Sequence, residues 1–301
     1  MAATIALTFL FSGCFTGIES TPKITERDLK RQNIVDIPDR HILDTITPQM
    51  PADWNIGKKF LVTNSRLARA MRVLEPAEAN LNGKILELTA IDYVPSLTGE
   101  ELVELAFKSS DGTLARYPVN MTRDKWVSIN VYEIPFMIDL DLVARIKSRL
   151  TGKSYYYKAS RRFDAKGNDI EGLRYIPVTI TDVEPGDSSR PVRVYFKDSD
   201  GQIASTLITL GHEKTSLRNF DTQFSSENPR NRYPRITDEV WNLIQHSQVR
   251  TGMTPDECRL ALGTPDNYRK VPTTAGMVEY WSYNNGSFLT FEDGVLTRFR
   301  I

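Results

Sequence analysis

The side chains that most often carry chemistry in proteins are few in this sequence. Its 301 residues contain three histidines, His41, His212 and His246, and two cysteines, Cys14 and Cys258. No histidine stands three or four residues from another metal-ligating side chain, the spacing that brings two ligands onto one helical face. The sequence therefore predicts no zinc site and no histidine-based catalysis.

Cys258 and the acidic clusters give no catalytic constellation either. Cys258 falls on the apolar face of a helix predicted over 254–263, with no base nearby in sequence, which favours a buried small hydrophobe. The clusters at 164–169 and 198–200 lack the alternating ligands and final glutamate of a calcium loop, and are typical of hairpin turns. Phosphate loops, serine elbows and paired-carboxylate motifs are missing from the sequence. We expect no catalytic residue, no metal, no cofactor and no enzymatic activity.

Composition and charge narrow the class of protein. Basic and acidic residues balance at 38 each, so net charge gives no reason to expect a nucleic-acid partner. The hydrophobic fraction of 40% is that of an ordinary globular protein, and the length suits two or three domains.

The first residues have a different character. Residues 2–13 are small and apolar but too few to span a bilayer, which favours a signal peptide over 1–13. Phe11-Ser12-Gly13-Cys14 resembles a bacterial lipobox, which implies that Cys14 is lipidated and that the mature chain starts there. A buried N-terminal strand with a core cysteine is the alternative. The residues after Cys14 lack an aspartate, and comparison with known sorting signals implies an outer-membrane protein facing the periplasm.

The centre of the chain predicts a tether and a duplication. Residues 14–55 are polar and interrupted by prolines, which predicts a lipid-anchored tether. The run Phe107–Gly112 is echoed by Phe196–Gly201, each after alternating apolar residues, and Gly57-Lys58 is echoed by Gly152-Lys153. Two small antiparallel β-barrel-like repeats are therefore predicted, at 56–133 and within 134–222, the latter opening with a linking helix that carries Leu142, Ile146 and Leu150 on one stripe. Small bacterial barrels of the Src-homology type look similar in strand count and spacing.

Residues 223–301 predict a compact α+β unit. Thr237 and Thr254 are positioned to cap two helices, and Thr254 with Glu257 forms a capping-box pattern. Three strands are predicted at Met277–Tyr283, Ser287–Phe291 and Val295–Ile301, separated by Asn-Gly and Asp-Gly turns. The predicted fold class is α+β, mainly β: two barrel-like repeats followed by a helix-helix-three-stranded-meander domain.

The C-terminal motifs resemble a known family. Their order is Gly252-Met253-Thr254, Leu262-Gly263-Thr264-Pro265-Asp266, Trp281-Ser282-Tyr283 and Phe291-Glu292-Asp293-Gly294. Over about residues 236–301 this is similar to the SmpA/OmlA (BamE-like) lipoprotein domain. The resemblance implies an envelope lipoprotein whose domain binds protein partners and is linked to outer-membrane protein assembly. Our chain is far longer than that pattern.

A partner surface can be predicted on the meander. Period-two alternation turns Trp281, Leu289 and Phe291 towards the helices. It leaves Tyr280, Phe288, Leu296 and Arg298 on the opposite face, where they are predicted to contact an envelope protein unless the repeats cover them. The function expected is protein–protein interaction or scaffolding in a lipoprotein held to the membrane by its N-terminal lipid. The alternative is a cell-wall or polysaccharide-binding lipoprotein that uses the paired repeats.

Overall fold

A computed structural model describes residues 42–210, 219–274 and 276–301. The predicted signal peptide, Cys14, His41, most of the predicted tether and His212 lie outside these residues. Within the described ranges, no helix has the length and apolar character needed to cross a membrane. The architecture is mixed and mostly β, with three antiparallel sheets and short helices.

The first sheet has six strands in the order β2-β5-β4-β3-β1-β6. Its strands are β1 (Lys59–Val62), β2 (Val73–Glu75), β3 (Ile85–Pro95), β4 (Glu101–Ser109), β5 (Leu114–Thr122) and β6 (Met137–Asp139). Helix α1 (Arg123–Ser128) carries Trp126 into the core beneath this sheet, where the ring contacts Trp54 edge to face. Two short 3-10 helices, Pro51–Asp53 and Ser65–Ala70, complete the unit.

The second sheet has seven strands in the order β13-β7-β10-β11-β12-β8-β9. They are β7 (Ser154–Tyr157), β8 (Arg161–Asp164), β9 (Asp169–Glu171), β10 (Ile176–Pro185), β11 (Val192–Asp198), β12 (Ile203–Ile208) and β13 (Phe224–Ser225). Helix α2 (Leu140–Leu150) packs the stripe Leu142, Ile146 and Leu150 onto this sheet, as predicted. Asp139 caps this helix, because its carboxylate accepts hydrogen bonds from the backbone N–H groups of Asp141 and Leu142. Helix α3 (Phe220–Gln223) precedes β13.

The two sheets share one strand order, which confirms the common topology expected of the repeats. The order β6-β1-β3-β4-β5 in the first sheet matches β13-β7-β10-β11-β12 in the second. Gly57 and Gly152 both have positive φ and both donate a backbone hydrogen bond to the second apolar strand, at Leu88 and Ile180. Leu88 pairs with Phe107 and Ile180 pairs with Phe196, so the two phenylalanines hold equivalent core positions.

The expectation of barrel-like repeats is wrong, because neither sheet closes. In the first sheet the free edge of β5 is taken by β2, and in the second the free edge of β12 is taken by β8 and then β9. These extra strands come from the long connection after the first strand of each repeat. They occupy the edge that a closing strand would need, so the sheets end open.

Two predicted boundaries fall inside sheets. Strand β6 lies beyond residue 133 but pairs with β1 of the first sheet, and β13 lies beyond residue 222 but pairs with β7 of the second. Each sheet therefore receives its last strand from the segment assigned to the next unit. The buried Lys58 ammonium lies 2.7 Å from an Asp139 carboxylate oxygen and joins the first sheet to the start of α2.

The third unit combines helices α4 (Asp238–Gln245) and α5 (Pro255–Leu262) with a four-stranded sheet in the order β14-β15-β16-β17. The strands are β14 (Asn267–Thr273), β15 (Gly276–Ser282), β16 (Phe288–Glu292) and β17 (Val295–Arg300). Thr237 caps α4, and Thr254 with Glu257 forms the predicted capping box at α5. The sequence predicted three strands, so β14 is an addition. The BamE-like arrangement stays a prediction.

Candidate functional site: the outer face of the third sheet

The helices cover only one face of the third sheet. Trp281, Leu289 and Phe291 are fully buried beneath α4 and α5, as alternation predicted. Glu279 is also buried on this inner face, where it accepts a hydrogen bond of 2.7 Å from the Trp281 indole N–H and pairs with Lys270. The middle of the inner face is thus a satisfied core, and a partner has access to the other side of the sheet.

The outer face carries two exposed aromatic rings. Tyr280 on β15 is 44% exposed and Phe288 on β16 is 42% exposed, so neither ring is covered by the described parts of the preceding repeats. Residues directly opposite each other in an antiparallel pair share a face. Tyr280 pairs with Thr290, and Phe288 pairs with Ser282, which places the two rings diagonally on neighbouring strands.

Arginines flank these rings on both sides. Arg298 pairs with Thr290 and Arg300 pairs with Phe288, so both basic side chains belong to the outer face. On the other edge, Arg269 of β14 pairs with Tyr280, and its guanidinium lies 5.7 Å from the centre of the tyrosine ring. We name this surface, formed by Arg269, Tyr280, Phe288, Arg298 and Arg300, the aromatic–arginine face.

The prediction that Leu296 belongs to this surface is wrong. Leu296 is 1% exposed and lies in the core of the third unit. Its partner across the ladder is Phe291, whereas Arg298 pairs with Thr290, so Thr297 is an extra residue and forms a β-bulge. A bulge shifts the alternation by one residue. Positions 296 and 298, which a regular strand would put on the same face, therefore point to opposite faces.

Arg269 escaped the sequence prediction for a specific reason. It lies on β14, which was not predicted, because the segment Asn267–Thr273 ends in a proline and a polar turn rather than in a strong hairpin signal. Arg269, Val271 and Thr273 alternate with Tyr268 and Lys270, so neither side of the segment is consistently apolar and hydrophobic alternation gives no strand signal.

The last strand has an open edge. Strand β17 pairs with β16 only, so among the described residues its other side offers unpaired backbone groups. Asp293 and Gly294 both have positive φ, as a two-residue hairpin turn requires, and this fixes the position of the strand. Such an edge can accept an added strand, and arginines at 298 and 300 discourage pairing with a basic segment.

The other residues considered for chemistry have structural roles. Cys258 is fully buried, and burial raises the pKa of its thiol, so it fits the expected small core residue. His246 is exposed and contacts the carbonyl oxygen of Asn242 at 2.8 Å. Asp164 and Asp198 accept backbone hydrogen bonds within hairpin turns, as predicted. The described ranges hold no cluster of three or more residues of the types His, Cys, Asp and Glu that could bind a metal.

Comparison of this chain with protein-family models, with curated proteins and with solved structures finds no match.

Proposed function

We propose that this chain is an outer-membrane lipoprotein, anchored through Cys14 and facing the periplasm, that acts as a protein-interaction or scaffolding module. The observation that carries the proposal is the aromatic–arginine face, in which two exposed rings stand between three arginines. Tyrosine, phenylalanine and arginine are enriched at protein interfaces, and tyrosine and arginine are enriched among the few residues that carry most of the binding energy there. The BamE-like resemblance supports a link to outer-membrane protein assembly.

The chemistry of the face favours a particular kind of partner. Its three arginines are accompanied by one acidic side chain, Glu292, whose strand position places it on the same side. An extended, acidic segment of an envelope protein would match this charge and could also add a strand along β17. The aromatic rings would then cover the apolar side chains of that segment.

The proposal is tested by comparing two variants in a crosslinking pull-down from native envelopes. Tyr280→Ala combined with Phe288→Ala should weaken recovery of the wild-type partner by about tenfold or more, because both rings leave the interface. The matched control is Tyr268→Ala. Tyr268 is 68% exposed on the inner side of the same sheet, opposite Trp281, and its loss should leave recovery unchanged.

Stability measurements separate docking from packing. The double variant should unfold at the wild-type temperature, since rings that are more than two-fifths exposed contribute little to the core. A large loss of stability would show that the rings are core residues. Co-sedimentation with peptidoglycan that is equal in wild type and double variant, without protein recovery by either, would instead support the polysaccharide-binding alternative.

A further inference from the structure

The second sheet contains a cavity with an excess of arginine, away from the aromatic–arginine face. It lies between the β8–β9 hairpin, the loop before β10 and the hairpin that joins β10 to β11, and its volume is about 410 Å³. Four arginines line it, Arg161, Arg162, Arg174 and Arg190, together with one carboxylate, Asp169. We name it the arginine cavity.

Arg162 is the most unusual member of this set. The residue is 7% exposed, yet among the described residues its guanidinium forms no ion pair and donates one hydrogen bond, of 2.7 Å, to the carbonyl oxygen of Leu173. Its buried Nε has no hydrogen-bond partner in the described chain. The Tyr157 ring, 5.5 Å away, offers a weak compensating contact. Burying an unpaired charge is costly, and proteins retain such groups mainly where they serve a function.

The chain provides space for this buried guanidinium. A Cβ atom placed on Gly172 would lie 2.1 Å from an Arg162 Nη atom, so any larger residue there would displace the side chain. Gly172 is not in the left-handed region that would by itself favour glycine. The absence of a side chain at position 172 therefore accommodates Arg162, which is built into the cavity wall.

The other arginines of the cavity leave it with an excess of positive charge. The buried Nε of Arg174 also has no hydrogen-bond partner among the described residues, although its Nη1 donates a hydrogen bond of 2.9 Å to the carbonyl oxygen of Ala261. Arg161 pairs with Asp169 at 2.9 Å, and Arg190 pairs with Asp187 at 2.7 Å. Two of the four guanidinium groups are thus matched by carboxylates, while those of Arg162 and Arg174 are not.

We propose that the arginine cavity binds the phosphate group of a phosphorylated ligand. Two guanidinium groups without a carboxylate partner suit the double charge of a phosphate monoester better than the single charge of a carboxylate, and guanidinium groups bind phosphate oxygens in a bidentate manner. The volume falls within the range of small-molecule sites, so it has room for a phosphate and part of the molecule that carries it. That molecule is a soluble ester or the headgroup of a lipid.

The experiment measures phosphate binding by the full chain carrying Cys14→Ala, so that an acyl anchor does not contribute. Glycerol 3-phosphate is titrated by calorimetry, with sodium chloride of equal ionic strength as the reference. Flotation with phosphatidylcholine vesicles, with and without phosphatidic acid, tests the lipid source. Saturable binding in either arm supports the site, and the stronger arm identifies the source. Absence of saturable binding in both arms would overturn the proposal.

Variants assign the binding to the cavity. Arg162→Met should weaken binding by roughly tenfold or more, because it removes a charge-assisted contact while filling similar volume. Gly172→Ala keeps the charge but displaces the guanidinium, and it should weaken binding as well. Arg149→Gln removes one exposed charge from α2, outside the cavity lining, and should bind as the wild type does.

A stability measurement distinguishes a ligand site from a structural arginine. Without ligand, Arg162→Met should unfold at the same temperature as the wild type or higher, since it replaces a buried unpaired charge with an apolar side chain. A lower unfolding temperature together with unweakened phosphate binding would show that Arg162 is structural and that the site assignment is wrong.

Discussion

Truncation of Phe196 tests whether each repeat has its own core. The ring is fully buried, lies 4.6 Å from the Tyr157 ring and meets Phe224 edge to face at 5.8 Å. Removing a buried phenylalanine to alanine costs about 3–5 kcal/mol, and aromatic pairs add about 0.5–1.5 kcal/mol each. We expect Phe196→Ala to cost near the upper end of the first range, a large part of the stability of a small domain.

The assay for this variant must resolve the sheets separately. Because the three sheets have distinct cores, a single unfolding temperature mixes their contributions, whereas hydrogen exchange reports each sheet locally. In Phe196→Ala, amides of β10–β12 should exchange roughly a hundredfold faster or more, with β3–β5 unchanged. In Phe107→Ala the amides of β3–β5 should exchange faster and those of β10–β12 should be unchanged, since Phe107 is buried at the equivalent position of the first sheet.

The exposed Phe288 provides the matched control. Phe288→Ala should change stability by no more than about 0.5 kcal/mol, because the ring is 42% exposed. A loss below about 1 kcal/mol for Phe196→Ala would contradict the estimate of its packing. Equal deprotection of both sheets in either core variant would refute the reasoning that the repeats fold around separate cores.

Three further predictions concern the anchor, a buried carboxylate and a buried thiol. Cys14→Ala should release the protein from the membrane fraction and abolish acyl labelling; unchanged membrane retention would contradict lipidation. Glu104 is buried, and hydrogen bonds, first from Arg72 and then from Arg116, lower the pKa of its carboxylate. The contribution of Glu104 to the free energy of unfolding is therefore present above pH about 4.3 and is lost as pH falls through the pKa of the folded protein. Glu104→Gln should reduce the loss of stability at acid pH. Cys258 in the folded protein should resist iodoacetamide at pH 8 and react only with denaturant, because burial raises the pKa of its thiol.

The duplication could be predicted from the sequence because it depends on local signals. Gly57 and Gly152 must adopt positive φ, and the runs that end at Gly112 and Gly201 must turn, so the pattern repeats wherever the backbone repeats. Barrel closure could not be predicted. Closure depends on which strand pairs with the free edges of β5 and β12. That pairing joins segments far apart in sequence, so local sequence patterns do not determine it.

The sites show the same division between local and distant determinants. The alternation of residues correctly predicted that Tyr280 and Phe288 are exposed and that Trp281 is buried, because these residues lie on regular strands. The prediction from alternation was wrong for Leu296. The bulge at Thr297 arises from the pairing of two strands, so the sequence of one strand does not show it. The arginine cavity left no sequence signal, since its arginines are separated along the chain and converge only when the β8–β9 hairpin folds.

The most direct test of the proposed docking is site-specific photo-crosslinking in living cells. A benzoylphenylalanine in place of Phe288 would lie on the aromatic–arginine face, and the same group in place of Tyr268 would lie on the opposite side of the sheet. Docking predicts one discrete protein adduct from position 288 and none from 268, with the 288 adduct lost when Tyr280→Ala is added. Equal adducts from both positions, or none from 288 while the protein remains folded in the envelope, would contradict the account.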